Sequence, residues 1–137
     1  MTRHHVEAII HETPEDVSAL LAHRPSSWLR AFLVLAVRPS GGGPSSRATR
    51  PLYRIGLPEE EAGSSVVRAP FVWWPHSDRD VFERFRGSFR VAPRQTGCEL
   101  DLDGEASGGR PERNDEVLHH LVELIGGAIE ADQASPA

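Results

Sequence analysis

The chain has 137 residues, enough for one domain with a real core, and its 39% hydrophobic and 26% charged residues are ordinary for a soluble globular protein. A formal net charge of -5 argues against a general nucleic-acid or acidic-membrane binder. The single cysteine, Cys98, excludes an intrachain disulfide and a cysteine-based zinc cluster.

All 15 basic residues besides histidine are Arg, with many Ala, Gly and Pro, the mark of GC-rich coding rather than of selection for arginine forks. Met1 to His5 is short and polar, with no apolar stretch behind a basic start, and no apolar run approaches bilayer length. A cytoplasmic, reduced setting is therefore expected.

From His4 to His11 the chain alternates, Val6, Ala8 and Ile10 against His5, Glu7 and His11, with Ile9 breaking the pattern. A first strand is expected there. Thr13-Pro14-Glu15-Asp16 opens a short helix: Thr13 caps it and Pro14 occupies the first helical position. Val17, Leu20 and Leu21 give it a buried stripe, Pro25 ends it, and Trp28 fills the following corner. Leu29 to Val37 is apolar at nearly every position except Arg30 and is read as a strand covered on both faces. Residues 39–46, rich in Pro, Gly and Ser, form a flexible loop.

Pro51 to Leu57 is expected to be a strand. Three consecutive glutamates make Pro58 to Gly63 a solvated turn. Ser65 to Trp74 is the next strand, with Pro70 marking a bulge or an edge, and His76 to Asp80 is a polar connection. The clearest local pattern follows. Phe85, Gly87, Phe89 and Val91 alternate with arginines and Ser88; Leu100, Leu102, Gly104 and Ala106 alternate with Glu99, Asp101, Asp103 and Glu105. A hairpin with Val91 opposite Leu100 also sets Phe89 on Leu102, Gly87 on Gly104, Arg90 on Asp101 and Arg86 on Glu105. Such cross-strand ion pairs contribute about 0.2–1 kcal/mol each, and a slip by one residue would put charge in the core. The ladder is a folding device in this reading.

After a turn at Gly108 to Pro111, a helix is expected over Asn114 to Asp132, with Asn114 as its N-cap. Val117, Leu121, Leu124 and Ala128 form one stripe and Leu118, Val122, Ile125 and Ile129 the next. So wide an apolar face calls for a large partner, and the strands supply one. The fold class expected is α+β, a curved antiparallel sheet around the long C-terminal helix, in a single domain over residues 1–137 whose tail, 133–137, is frayed.

The segment Phe85-x-Gly87-Ser88-Phe89-x-Val91, then Gly97-Cys98-Glu99-Leu100-x-Leu102-x-Gly104, then the helix, resembles the START-like (SRPBCC) superfamily of polyketide cyclase/dehydrase and lipid-transfer proteins. The Thr13-Pro14-Glu15-Asp16-Val17 opening is similar to that of the family too. The motif-like match runs over residues 82–130, whereas residues 39–65 fit no pattern of the family. The resemblance implies a helix-grip fold with a cavity between sheet and helix that holds a lipid or another apolar molecule.

For chemistry, the group to watch is Tyr53, Arg54, Arg68, Trp73, Trp74 and His76, aromatic bodies with a few polar tips. Phe89, Val122 and Gly126 join Tyr53, Arg68, Trp73, Trp74 and His76 as expected ligand-binding residues, because the implied cavity lies between strand and helix. The pair Gly126-Gly127 costs about 1 kcal/mol per glycine inside a helix, and close approach of sheet or ligand would account for it. No catalytic residue can be assigned. No histidine pair has the i, i+4 spacing of a helical zinc motif, and Gly41-Gly42-Gly43 precedes a proline rather than a helix start, so neither a metal nor a cofactor is expected.

Three functions compete. The first is binding of a small hydrophobic or amphipathic molecule, lipid or polyketide-like. The second is a polyketide cyclase or aromatase-like enzyme using Arg68, Tyr53 or His76. The third is a protein-interaction module acting through Trp73-Trp74-Pro75. The partner expected is a small hydrophobic molecule, not nucleic acid, and a homodimer is compatible with the sequence.

Overall fold

The hairpin with the clearest alternation is also the centre of the sheet. In the computed structural model, which describes residues 1–22, 25–37, 52–63, 65–75 and 80–134, β5 (Arg84–Arg94) and β6 (Gly97–Ser107) pair across a turn at Gln95 and Thr96. Their register is the expected one, Val91 on Leu100, Phe89 on Leu102, Arg90 on Asp101 and Arg86 on Glu105. Gly87 faces Gly104, and a Cβ on either would run into the other strand's backbone, so this crossing requires glycine twice.

β1 (Thr2–Ile10) covers the far edge of β6, and β4 (Val67–Trp74) covers the far edge of β5. β2 (Leu52–Ile55) and the short β3 (Glu59–Glu60) both pair with β4. All pairings are antiparallel, in the order β1-β6-β5-β4-β2. The bulge expected near Pro70 lies on the neighbouring segment. The Gly56 N–H donates to the Pro70 carbonyl at 2.8 Å, yet Glu59 stands opposite Arg68. Leu57 and Pro58 therefore share the space opposite Ala69.

Three helices accompany the sheet. α1 (Pro14–Ala22) starts as expected, with Thr13 Oγ1 accepting the Asp16 N–H at 3.3 Å. The next segment corrects the sequence reading, because Leu29 to Val37 is no strand. It belongs to α2 (Pro25–Ala36), which Pro25 opens at the first helical position rather than closing the helix before. Leu29, Leu33 and Ala36 are buried at i, i+4 and i+7, while Arg30 and Leu35 are exposed. An apolar run this continuous masks its own period, and only the buried stripe reveals it.

α3 (Pro111–Ala134) starts earlier than expected. Pro111 takes the first helical position, and Asn114 already donates its backbone N–H to the Arg110 carbonyl at 2.8 Å. Asn114 is fully buried and is no cap. Its Oδ1 accepts the Phe82 N–H at 2.9 Å and its Nδ2 donates to the Gly108 carbonyl at 2.9 Å, pinning the chain before β5 to the helix. Arg113 of α3 donates to the Val37 carbonyl at 2.9 Å, just past the end of α2. α3 runs through Gln133 and Ala134; residues 135–137 and the loop 39–46 lie outside the described residues, as does the side chain of Trp28. The core is the layer between sheet and helices: Val6 and Ile10 of β1, Phe71 and Trp73 of β4, Phe85 and Phe89 of β5, Leu100 and Leu102 of β6, and Leu118, Leu121, Val122 and Ile125 of α3.

Candidate functional site

Strand parity decides which residues face the helix. Along β4, Ala69, Phe71 and Trp73 are buried on the helix side, while Arg68 and Pro70 are exposed on the other. β2 pairs Tyr53 with Trp73 and Ile55 with Phe71, so the half-buried Tyr53 stands on the inner face. β5 adds Phe85 and Phe89. The aromatic rings form one connected group. Phe71 and Phe89 lie 4.8 Å apart by ring centroids, and Trp73 meets Phe82 edge-on at 5.3 Å. Phe82 stands 5.9 Å from Phe85. Tilted and edge-on rings at such separations are favourable beyond the area they bury.

Among the described residues, polar atoms without a partner stand in this apolar interior at Trp73 and at His4. Trp73 is fully buried, yet its indole Nε1–H has no acceptor. An unmatched buried donor costs about 1–3 kcal/mol, which a polar atom of a bound molecule would recover. His4 of β1 is 7% exposed; its Nδ1 lies 3.5 Å from Asp115 Oδ1 of α3, and its Nε2 is buried without a partner. His4 is absent from the residues that the sequence singles out. The i, i+2 alternation with Val6 was the signal that His4 faces inward.

The residues expected to bind ligand divide by face. Trp73, Phe89, Tyr53, Val122 and Gly126 lie on the inner side. A Cβ on Gly126 would stand 3.4 Å from Cγ1 of Ile10, in van der Waals contact with β1. Arg68 is corrected: it is on the outer face, its Nε donating to Glu61 at 2.9 Å and its Nη1 to Ser88 Oγ at 3.0 Å. An odd/even strand cannot turn Arg68 inward while Ala69 and Phe71 are buried. Trp74 is half-buried on the outer face with Arg68, and His76 lies outside the described residues. Trp73 and Pro75 are buried, so Trp73-Trp74-Pro75 is not an exposed contact, and the interaction reading loses its surface.

Among the described residues, the titratable groups inside do not converge. His4 sits on β1 and Tyr53 on β2, at opposite ends of the strand order, four strand spacings or roughly 19 Å along the sheet. Cys98, on β6 opposite Ile10, has its thiol pushed up to about 11, by burial first and by Glu12 and Glu15 second, so it is no ready nucleophile. A set of this kind can orient an apolar molecule by a hydrogen bond at either end. It does not assemble an acid and a base on one atom.

No protein-family model matches the chain, and no curated protein matches it in sequence. Solved structures do match in shape. Ara h 8.0201 shares 11% identity at a TM-score of 0.62 over 96% of both chains. TTHA0849 from Thermus thermophilus shares 15% at a TM-score of 0.56, over 97% of this chain and all of the other. Protein CV1439 from Chromobacterium violaceum shares 14% at a TM-score of 0.54, over 95% and 99%. The chain shares a helix-grip fold with these structures, an antiparallel sheet curved around its C-terminal helix. Among the described residues, no helix is long and apolar enough to cross a membrane.

Proposed function

We propose that this protein binds a small hydrophobic or amphipathic molecule, of lipid or polyketide type, between the inner face of the sheet and α3. The observation that carries the reading is the Trp73 indole N–H, held among Phe71 and Phe82 with no acceptor in a fully buried place. A ligand with an apolar body and one oxygen would satisfy it while extending the aromatic packing. In this reading Tyr53 and Phe89 on the sheet and Val122 and Gly126 on α3 would face the ligand, and His4 would offer a second polar end. The separation of His4 from Tyr53 favours carriage over the cyclase alternative. The protein would act in the cytoplasm, carrying one molecule per chain.

Native mass spectrometry of freshly purified protein beside a denatured control tests this directly, and the same spectrum separates monomer from homodimer. An excess mass lost on denaturation is the expected result. Dodecanoate and the dye 8-anilinonaphthalene-1-sulfonate then serve as probes. Trp73→Phe, which keeps an aromatic ring and removes the donor, should weaken dodecanoate by about three- to tenfold. Uptake unchanged in Trp73→Phe would remove the indole as anchor. No excess mass together with no saturable uptake of either probe would defeat the binding reading.

A further inference from the structure

We propose that the outer face of β1 and β6 holds a divalent transition-metal cation, with His5, Glu7 and Asp101 as its protein ligands. This face lies on the opposite side of the sheet from the ligand region, so the two proposals stand or fall separately. The sequence reading set metal aside after weighing histidines only against histidines. The fold instead joins a His-x-Glu pair on the first strand to an aspartate 94 residues beyond the glutamate.

The juxtaposition follows from register. His5 and Glu7 alternate on one face of β1, and Glu7 stands directly opposite Asp101 of β6. One donor atom from each of His5, Glu7 and Asp101 lies within 4.8 Å of the others. His5 Nε2 and Glu7 Oε2 are 3.9 Å apart. Donors around one tetrahedral ion with bonds of about 2.1 Å stand roughly 3.4 Å apart, so the group need close only by about an ångström. His5 and Glu7 are both more than half exposed, while Asp101 is buried.

Asp101 is the observation that points to a cation. Its side chain is only 2% exposed. From the β5 side Arg90 Nη1 donates to Oδ2 at 3.4 Å, while the other oxygen, Oδ1, is buried with no donor. β1 lies across β6 from β5, so a cation held with Glu7 and His5 would reach Asp101 from the side Arg90 leaves open. The charge balance agrees. Glu7 and Glu99 stand beside Asp101, with Asp103 and His5 next along the face; Arg3 is held by Asp103 and Arg94 by Glu99, which leaves Arg90 on Asp101.

The donor chemistry names the class of ion. One imidazole nitrogen with two carboxylate oxygens suits Zn²⁺ or Mn²⁺ better than Ca²⁺ or Mg²⁺, which favour all-oxygen sites. Exposure on the His5 and Glu7 side leaves room for water as the remaining ligand. The site is therefore built for an exchangeable ion.

The test is calorimetric titration of the tag-free, chelator-stripped chain with Zn²⁺ at pH 7.5, repeated in three variants. The rivals are a proton held on Asp101, and the exposed pair His119–Glu123, whose side chains meet at 2.9 Å on α3. The expected result is one Zn²⁺ per chain, weakened by at least about tenfold in Glu7→Gln and in Asp101→Asn and unchanged in His119→Gln. Glu7 is exposed, so Glu7→Gln decides even if Asp101→Asn disturbs folding. Absence of saturable binding, binding indifferent to Glu7→Gln, or binding lost in His119→Gln would each overturn the assignment.

Discussion

The two faces of β5 and β6 meet burial in opposite ways. On the inner face Phe85, Phe89, Val91, Leu100 and Leu102 are buried by packing alone, ring on ring and against α3. On the outer face Glu99 and Asp101 are also buried, with arginines of β5 against their carboxylates. Apolar side chains need only neighbours of the right shape. Buried carboxylates need compensating charge in the right place, and here the compensation is uneven. Glu99 is engaged by Arg94, while Asp101 has one long arginine contact, from Arg90, and the Glu99 carboxyl beside it. A strand pair thus carries a well-matched surface and an electrostatically frustrated one back to back. That asymmetry makes the outer face responsive to protons and cations, and the inner face responsive to apolar molecules.

The largest expected break in the comparison is on the packed face. Phe89→Ala removes a fully buried ring that stands 4.8 Å from Phe71 and opposite Leu102. A loss of about 3–5 kcal/mol is expected, the usual cost of truncating a core aromatic. Urea unfolding followed by circular dichroism would measure it. A loss below about 1 kcal/mol would mean that the inner face is less well packed than the ring geometry indicates.

On the charged face a side-chain change should stabilise. The ordinary carboxyl value for Asp101 is 3.8, and in the folded protein it is pushed up to about 6, by burial first and then by Glu99. Folding therefore favours the protonated form. The stability from that proton is complete below about pH 4 and is lost as pH rises through 6. Glu99 runs the other way. Burial pushes it up, but the Arg94 guanidinium and hydrogen bonds with Asp101 and Glu7 outweigh burial and hold it low. Its contribution is present above its ordinary value of 4.5 and fades as pH falls. Asp101→Asn copies the protonated shape and isolates the first effect. With chelator present, the variant should match the parent near pH 4 and exceed it by on the order of 1–3 kcal/mol at pH 8. Denaturant midpoints across that range decide it; a difference that does not change with pH would mean Asp101 is not held protonated.

How much of this was legible in the sequence depended on how local each feature is. The β5/β6 register could be read in full, because strict period-2 alternation and opposite charges at Arg90–Asp101 and Arg86–Glu105 left one alignment. The helix-grip architecture followed from that hairpin and the two stripes of α3. α2 was missed because Leu29 to Val37 offers apolar residues at both periods. Asn114 was misread because a buried side chain bonding Phe82 and Gly108 looks the same in sequence as a cap. Arg68 and Trp74 were grouped with Trp73 as ligand-binding residues because the sequence alone did not say which face of the strand turns inward. His5, Glu7 and Asp101 could not be grouped at all, since nothing in the sequence pairs the first strand with β6.

The smallest effect concerns α3, the element both comparisons rest on. Gly126 and Gly127 are adjacent but not equivalent. A Cβ on Gly126 meets Ile10 at 3.4 Å, whereas a Cβ on Gly127 meets nothing within 4 Å. Gly127 therefore carries the helix-propensity cost of glycine with no packing in return. Gly127→Ala should raise stability by about 0.5–1 kcal/mol, seen as a higher thermal midpoint, with dodecanoate uptake unchanged. Gly126→Ala gains the same propensity but adds a methyl against Ile10, so its gain should be smaller, and any change in uptake should appear in this variant alone. If Gly127→Ala instead altered uptake, the pair would act as a hinge of α3 rather than as one close contact beside one tolerated glycine.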